Sequence, residues 1–292
     1  LSREARRRGV ATALVAATLP RSAGRLRPVA LPFLRPAFRR LERVCAISEE
    51  DGERFAILGV STDRIVVTGD PGVDSAASRA ESADRHASHL AAFAGEDRPT
   101  LVAGSTWPSD EAVLLPAAGR VRQRHPELRL VVAPHEPHDG HLRPLMAALL
   151  SEGWSARRLS EVEDAGSARG VDAVVVDRVG VLADLYSLGA LAWVGGGFHD
   201  EGLHSVLEPA AWGLPVLVGP RHGSAMEARR LLERGGAVEV DGVETAVGAI
   251  EAWLDEPGLG RAAGARGRGY IDEHRGASDR TARVLAEILR RA

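Results

Sequence analysis

Residues 191–227 decide the fold, and they read LAWVGGGFHDEGLHSVLEPAAWGLPVLVGPRHGSAME. The apolar runs Leu191–Val194 and Pro215–Val218 predict two buried strands. Between them lie three glycines, Gly195–Gly197, and a segment typical of a helix, Ser205–Trp212. Strand, glycine loop, helix and strand follow one another in the nucleotide-binding units of open α/β sheets. We therefore expect the glycines to let a ligand approach the backbone, and the helix N-terminus to suit a phosphate.

Glu208 occupies a defined place in this unit, because Pro209 follows it and proline is tolerated best in the first turn of a helix. A carboxylate there can accept hydrogen bonds from ribose hydroxyls. The alternative is that Glu208 only complements the helix dipole.

Length and composition limit the class of protein. The chain has 292 residues, enough for two domains, and its 45% hydrophobic and 26% charged residues are typical of a globular protein. Its single cysteine, Cys45, excludes internal disulfides and fits a reducing compartment. No apolar run reaches 18 residues, so we expect no membrane-spanning helix. Residues 1–44 hold eleven Arg against two Glu, which makes this segment strongly basic.

Outward from the central stretch, strands and helices alternate in two series, one before residue 75 and one from Thr100 onward. The tripeptide Gly104-Ser105-Thr106 follows the first strand of the second series. Its hydroxyls and backbone N–H groups suit a phosphate, although a simple N-cap turn explains them equally well. We expect residues 1–76 to form a partial first domain, 77–98 a linker, and 99–292 a nucleotide-binding domain with C-terminal helices.

Three further loops contain polar residues. Residues 134–141 include three His and two acids, but two prolines, a glycine and the absence of cysteine favour a ligand-facing loop over a zinc site. The backbone of the turn Asp177–Leu182 either forms hydrogen bonds with the edge of a nucleotide base or is a plain strand-to-helix turn. His199, Asp200, Glu201 and His204 are candidates for acid–base chemistry, or are merely solvated.

Taken together, these pieces resemble the Kdo transferases, the 3-deoxy-D-manno-octulosonic acid transferases of lipopolysaccharide synthesis. The resemblance covers almost the whole chain. The matching residues are Ser48-Glu49-Glu50-Asp51, Arg54-Phe55, Leu58-Gly59, Thr68-Gly69, Asp74, Gly104-Ser105-Thr106, Pro134-His135-Glu136-Pro137, Asp177, Gly180, Leu182, Val194-Gly195-Gly196-Gly197, Gly202, His204, Leu207-Glu208-Pro209, Gly219-Pro220 and Glu227-Ala228.

The resemblance implies an α/β, GT-B-like fold with two Rossmann-like domains, the first incomplete here. It implies an inverting transfer of Kdo from CMP-Kdo to an anionic lipid A precursor. No cofactor, metal or nucleic acid is expected. The resemblance implies localisation at the cytoplasmic face of the bacterial inner membrane. The basic segment 1–44 favours peripheral contact with that surface.

The resemblance also implies the site residues. Ser105 and Thr106 would hold the phosphate and Glu208 the ribose, while His135, Gly180 and Leu182 would lie near the cytosine. The remaining substrate-binding residues implied are Gly195, Gly196, Gly197 and His204.

This chain departs from the family pattern at Val181, Ser205 and Val206, where the family usually has Glu, Asn and Pro. The family's catalytic carboxylate and membrane anchor are expected upstream of Leu1, so the catalytic residue is unknown and the chain by itself could be inactive. Two alternatives remain: a non-catalytic nucleotide-binding remnant, and a GT-B relative that uses a UDP-sugar.

Overall fold

The structure is a computed structural model that describes residues 2–21, 23–223 and 225–291. The chain folds into two compact units. The first consists of residues 1–75 together with 273–292, and the second of residues 76–272.

The first unit is built on a three-stranded parallel sheet with the order β1-β2-β3. From the start of the chain the elements are α1 (Ser2–Arg7), β1 (Ala13–Ala17), α2 (Leu31–Phe38), β2 (Arg43–Ala46), α3 (Glu49–Ile57), β3 (Ile65–Val67) and α4 (Pro71–Ser82).

A buried carboxylate organises this sheet. Asp51 is fully buried in the first turn of α3 and accepts hydrogen bonds from the Leu19 backbone N–H at 2.7 Å and from Arg54 at 3.0 Å. The Ser48 hydroxyl caps the same helix by accepting from the Asp51 N–H at 3.1 Å. Ser48 is thus the N-cap of α3.

The second unit contains a seven-stranded parallel sheet with the order β10-β9-β8-β4-β5-β7-β6. Its elements after α4 are α5 (Ser88–Ala91), β4 (Thr100–Thr106), α6 (Pro108–Arg124), β5 (Arg129–Pro134), α7 (Asp139–Ser151), β6 (Ala156–Arg158), α8 (Leu159–Asp164), β7 (Ala173–Val175), α9 (Leu182–Leu185), β8 (Leu191–Val194), α10 (Leu207–Ala211), β9 (Val216–Val218), α11 (Met226–Arg234), β10 (Ala237–Glu239), α12 (Val243–Asp255) and α13 (Pro257–His274).

Alternate residues of the central strands supply two cores, one on each face of this sheet. Leu101, Ala103 and Trp193 pack in one core, with side chains of α6, α7 and α12. Val102 and Val131 pack in the other, with side chains of α5, α8 and α9. Because both faces are covered, the strands are continuous apolar runs, as expected for a buried parallel sheet.

The topology places a switch point between β4 and β8, in the middle of the sheet. From β4 the chain first builds β5 on one side and later β8 on the other. Loops that leave the carboxyl ends of β4 and β8 therefore run to opposite sides, and ligands of open α/β sheets bind at such a switch point.

The division into units differs from the expected domain boundaries in two respects. Residues 77–98, expected as a linker, contain half of α4 and all of α5, and Leu90 and Phe93 are buried in a core of the second unit. The last helix, α14 (Ala277–Arg291), is part of the first unit. Within the first unit, the Asp74 carboxylate accepts hydrogen bonds from the backbone N–H groups of Gly276 and Ser278, each at 2.6 Å. None of the described helices is long and apolar enough to cross a bilayer.

Candidate functional site

The end of β4 has an unusual backbone. Ser105 adopts φ +54°, a left-handed conformation that costs a residue with a Cβ roughly 1–2 kcal/mol. Such strain is typical of functional sites, where the surrounding structure enforces it. Next to it, a Cβ placed on Gly104 would lie 2.1 Å from the Tyr186 hydroxyl, so only glycine fits beside that buried tyrosine.

Thr106 faces the protein interior. It is fully buried, and its hydroxyl donates to Glu111 Oε1 at 2.8 Å. His141 Nε2 lies 2.9 Å from the same oxygen. The Thr106 hydroxyl, expected to hold a phosphate, is thus engaged by a carboxylate that sequence reasoning did not connect to it. Of the two hydroxyls in this loop, that of the partly exposed Ser105 is the better placed for a ligand.

The three glycines after β8 are packed against other backbone segments. A Cβ on Gly195 would lie 2.1 Å from the Ser105 carbonyl oxygen, and one on Gly196 2.1 Å from that of Gly202. A Cβ on Gly197 would lie 2.4 Å from the Gly219 backbone nitrogen. We expected these glycines to leave room for a ligand. Their lack of side chains instead allows neighbouring loops of the protein to approach.

Asp110 holds the glycine loop in place, and sequence reasoning missed it. Its fully buried carboxylate accepts from the backbone N–H groups of Gly196 at 2.8 Å, Phe198 at 3.1 Å and Trp107 at 2.9 Å. A signal was available, because an acidic residue three positions after Trp107, in the first turn of α6, matches a capping position.

Trp107, which follows β4, contacts three histidines: His135 after β5, and His199 and His204 after β8. Its indole stacks on His199 at a centroid distance of 4.0 Å and on His135 at 4.7 Å. The indole N–H donates to His204 Nε2 at 3.1 Å. His135 and His204 lie with ring centroids 4.5 Å apart. Burial lowers the pKa of His204, and the neighbouring His135 lowers it further.

Glu208 lies in the short helix α10 and is half-buried. Burial raises the pKa of its carboxyl group, while Arg79, 3.6 Å away, opposes this effect and Asp184 adds to it. Burial also raises the pKa of Tyr186, with a further contribution from Glu208. Glu208 is therefore electrostatically linked to the tyrosine beside Gly104.

The loop after β7 combines a structural part and an open part. Asp177 accepts from the Ser160 hydroxyl at 2.5 Å and from its backbone N–H at 3.3 Å, so it caps the start of α8. Gly180 is exposed at φ +91°. Leu182 reaches the end of β4, 2.9 Å from where a Cβ on Gly104 would be.

The other acid–base candidates have local partners. Asp200 pairs with Arg221, and His199 Nδ1 accepts from the Glu201 backbone N–H at 3.1 Å. The described residues contain no group of three or more His, Cys, Asp or Glu arranged to hold a metal ion.

A cavity of about 800 Å³ lies between α6 and α7. Its apolar wall includes Leu115 and Leu145, and its border is formed by Trp107, His135 and His199. The cavity therefore adjoins the histidine cluster, whereas Ser105, Gly195–Gly197 and Glu208 are not among the residues that line it.

The predicted site residues thus come together only in part. Ser105, Thr106, His135, Gly195–Gly197 and His204 meet through the contacts described, at the carboxyl ends of three adjacent strands. Leu182 and Glu208 adjoin this cluster through Gly104 and Tyr186. Gly180 follows β7, which is separated from β4 by β5. Such an arrangement offers one hydroxyl, imidazoles and a carboxylate to a ligand.

Comparison with known proteins places these residues in a family context. The family model for 3-deoxy-D-manno-octulosonic-acid transferase (kdotransferase) matches residues 1–75. The 3-deoxy-D-manno-octulosonic acid transferase of Chlamydophila psittaci is 31% identical over 280 residues, which is 95% of this chain and 62% of that protein. The enzyme of the same name from Bordetella pertussis is 30% identical over 98% of this chain and 65% of its own length. The chain thus spans slightly less than two thirds of these relatives.

Two solved structures share the fold. The C-terminal CMP-Kdo binding domain of WaaA from Acinetobacter baumannii superposes with a TM-score of 0.55 at 20% identity, covering 67% of this chain and 97% of that domain. UDP-GlcNAc 2-epimerase from Neisseria meningitidis, bound to UDP-GlcNAc, superposes with a TM-score of 0.63 at 14% identity. The match covers 98% of this chain and 72% of the epimerase chain. They confirm the expected α/β, GT-B-like fold class, and the sequence matches confirm the resemblance to the Kdo transferases.

The packing of the glycine loop predicts the effect of one added methyl group. Gly195→Ala is expected to lower the free energy of unfolding by about 2–4 kcal/mol, because the Cβ overlaps the Ser105 carbonyl. Gly248→Ala is the matched control. Gly248 lies inside α12 with nothing within 4 Å, so alanine should raise stability by about 0.5–1 kcal/mol. Denaturant unfolding measures both, and a Gly195→Ala protein as stable as wild type would contradict the described packing.

Proposed function

We propose, on the premise that this chain is related in sequence to the Kdo transferases, that it serves an inverting glycosyl transfer in lipopolysaccharide biosynthesis. The donor would be CMP-Kdo and the acceptor an anionic lipid A precursor. The transfer as a whole is part of the proposal, because the chain spans 62% and 65% of the length of the two relatives. The observation that carries it is the meeting of the family's motif residues at the ends of β4 and β8.

The proposed roles follow from the contacts. The Ser105 hydroxyl and the backbone N–H groups of this loop would bind the phosphate, with Thr106 contributing only through its backbone. Glu208 would accept from the ribose hydroxyls. His135 and the Gly180–Leu182 turn would lie near the cytosine. The leaving group is a nucleoside monophosphate, whose developing charge fixed N–H and O–H donors can stabilise without a metal. The general base remains unassigned.

The nature of the nucleotide tests the proposal against its alternatives. Calorimetric titration of the chain with CMP, UDP and AMP is expected to give the tightest binding for CMP, by at least about tenfold. Tighter binding of UDP would support a relative that uses a UDP-sugar. CMP binding without release of CMP from CMP-Kdo in the presence of acceptor, by a protein as long as the relatives, would support a non-catalytic nucleotide-binding remnant. Failure to bind CMP would overturn the proposal.

We also propose that the first unit contacts an anionic membrane surface at the cytoplasmic face of the inner membrane. Around the start of α2, Phe33 is 81% exposed and Val29 79% exposed. Arg25 and Arg27 are exposed in the same segment. An apolar side chain flanked by arginines suits a surface with anionic headgroups, where each cation contributes about 1 kcal/mol.

Vesicle binding tests this contact. Phe33→Ser is expected to weaken cosedimentation with anionic vesicles severalfold, because it removes the apolar side chain that would enter the interface. Leu289→Ser is the matched control, since Leu289 is 78% exposed in α14. Binding to zwitterionic vesicles should be weak for all three proteins. Equal losses in both variants, or none in Phe33→Ser, would refute contact through α2.

The role of Glu208 can be separated from its pairing with Arg79. A ribose contact predicts that Glu208→Gln weakens CMP binding by roughly 1.5–3 kcal/mol, about ten- to a hundredfold. The same substitution should weaken the binding of 2′-deoxy-CMP much less, because this nucleotide lacks the 2′-hydroxyl that would donate to the Glu208 carboxylate. Arg79→Gln should leave the CMP affinity within about threefold of that of wild type, since it removes the ion-pair partner of Glu208 but keeps the Glu208 carboxylate. Calorimetry of wild type and both variants with the two nucleotides gives the six affinities.

Stability supplies the control for this experiment. Because burial raises the pKa of Glu208, the folded state holds this proton more tightly than the unfolded state. The stability that the protonated carboxyl group contributes is therefore lost as pH rises through the raised pKa of the folded state, whereas glutamine stays neutral and shows no such loss. Glu208→Gln should consequently unfold no earlier than wild type at neutral pH. Unchanged CMP affinity with reduced stability would instead indicate a role limited to the helix dipole.

A further inference from the structure

We infer that Trp107 is a positioning residue that holds His204 as a neutral imidazole with its proton on Nδ1. This Nδ1–H would then serve as a hydrogen-bond donor to an anionic oxygen of the nucleotide-sugar donor. The first statement concerns the protein alone, and the second rests on the proposed function.

The hydrogen bond between the two rings fixes the tautomer. Trp107 Nε1 and His204 Nε2 are 3.1 Å apart. The ring planes differ by only 14° and the ring centroids lie 6.5 Å apart, so the two rings are nearly parallel and their contact is through the N–H edge of the indole. An indole N–H can only donate, so the imidazole Nε2 must accept through its in-plane lone pair. A neutral imidazole that accepts at Nε2 carries its proton on Nδ1.

The orientation of the ring is fixed from other sides as well. The His204 backbone N–H donates to the Gly195 carbonyl at 3.0 Å, which anchors the residue on the glycine loop. His204 Cδ2 lies 3.2 Å from the position of a Cβ on Gly196, and the His135 ring packs at 4.5 Å. Flipping the ring would turn Cε1 toward the indole N–H and lose the bond. Among the described residues, none accepts from Nδ1, so this donor is available to a ligand.

The charged and titratable neighbours favour the neutral form. His135 comes from the loop after β5, His199 from the glycine loop, and Asp110 from α6. Either histidine would repel a protonated His204. Asp110 would attract it, but its carboxylate already accepts three backbone N–H groups. Protonation at Nε2 would also set two N–H groups against each other, at the cost of the bond from Trp107.

A neutral donor fits the chemistry of the proposed reaction. The leaving phosphate gains charge as the bond to the sugar breaks, and a fixed N–H directed at it stabilises that charge without rearrangement. Because the proton resides on Nδ1 across the neutral range, the hydrogen bond would not vary with pH. Trp107 would thus act through His204 without touching the substrate.

Nitrogen-15 NMR of the full chain tests the tautomer without any ligand, with the His204 signals assigned by their loss in His204→Asn. In wild type we expect protonated Nδ1 and unprotonated Nε2 at neutral pH, with Nε2 taking up a proton only below the usual titration range of histidine, because burial lowers the pKa of His204. In Trp107→Phe, which keeps an aromatic ring but lacks the N–H, we expect His204 to protonate at a higher pH by roughly 0.5–1 pH unit. A merely structural role for Trp107 would not move this titration.

Trp212→Phe is the matched control, because its indole N–H donates elsewhere, to the Ala183 carbonyl at 2.7 Å. His204 should titrate there as in wild type. An Nε2–H tautomer or a charged His204 at pH 7 in wild type would overturn the inference, even if Trp107→Phe failed to fold. An unchanged titration in a folded Trp107→Phe protein would overturn it too.

Two substitutions of His204 test the donor role. The amide of asparagine can place its N–H near the position of Nδ1, whereas that of glutamine reaches toward Nε2. We expect His204→Asn to retain ligand affinity within about threefold, and His204→Gln to lose roughly five- to tenfold. A loss seen with CMP but not with cytidine assigns the bond to the phosphate. A loss seen only with CMP-Kdo assigns it to the sugar carboxylate.

The outcomes separate this inference from the proposed function. Equal affinities of the Asn and Gln variants for both CMP and CMP-Kdo would refute the donor role while leaving CMP binding itself intact. If wild type bound neither nucleotide, the proposed function would fail and the donor role with it, while the NMR result would still decide the tautomer.

Discussion

The carboxylate of Asp110 joins the two loops from which the candidate site is built. It lies in the first turn of α6, directly after β4, and accepts backbone N–H groups from the loop that follows β8. Hydrogen bonds to a charged acceptor contribute about 1.5–3 kcal/mol each, and a buried carboxylate deprived of them is strongly destabilising. The loops at the switch point are thus tied together before any ligand arrives, which is the preorganisation that binding of charged groups requires.

The surroundings of that carboxylate show how closely the loops are packed. Backbone meets backbone at Gly195 and Gly197, and Ser105, whose carbonyl lies against Gly195, is held in a left-handed conformation. Beneath this layer the buried pair Thr106 and Glu111 continues the network toward α7. A rigid, polar floor of this kind restricts a ligand to the groups that remain accessible. Those are the Ser105 hydroxyl, the imidazoles and the Glu208 carboxylate.

Patterns local in sequence were sufficient to predict much of this protein. The apolar runs and the loops between them indicated parallel α/β architecture, since only strands covered on both faces are apolar throughout. The glycines after Val194 predicted the turn that follows β8, and the proline after Glu208 predicted the start of α10, because turn and helix-start preferences act over a few residues. The close packing of other backbone segments on these glycines was not predicted, since the atoms that approach them belong to segments that sequence spacing does not connect.

Only the tertiary structure decided which residues of the site form hydrogen bonds with one another. Asp110 and Gly196 are 86 residues apart, and Trp107 and His204 are 97 apart. The hydrogen bonds from Gly276 and Ser278, at the start of α14, to Asp74 span more than 200 residues. Short-range patterns determined which residues are strands, turns and helix starts, because backbone preferences and apolar periodicity are local. Partners for buried carboxylates and imidazoles were chosen by the folded sheet, because strand order alone determines which loops share an edge, and a single sequence does not encode that order in any local pattern.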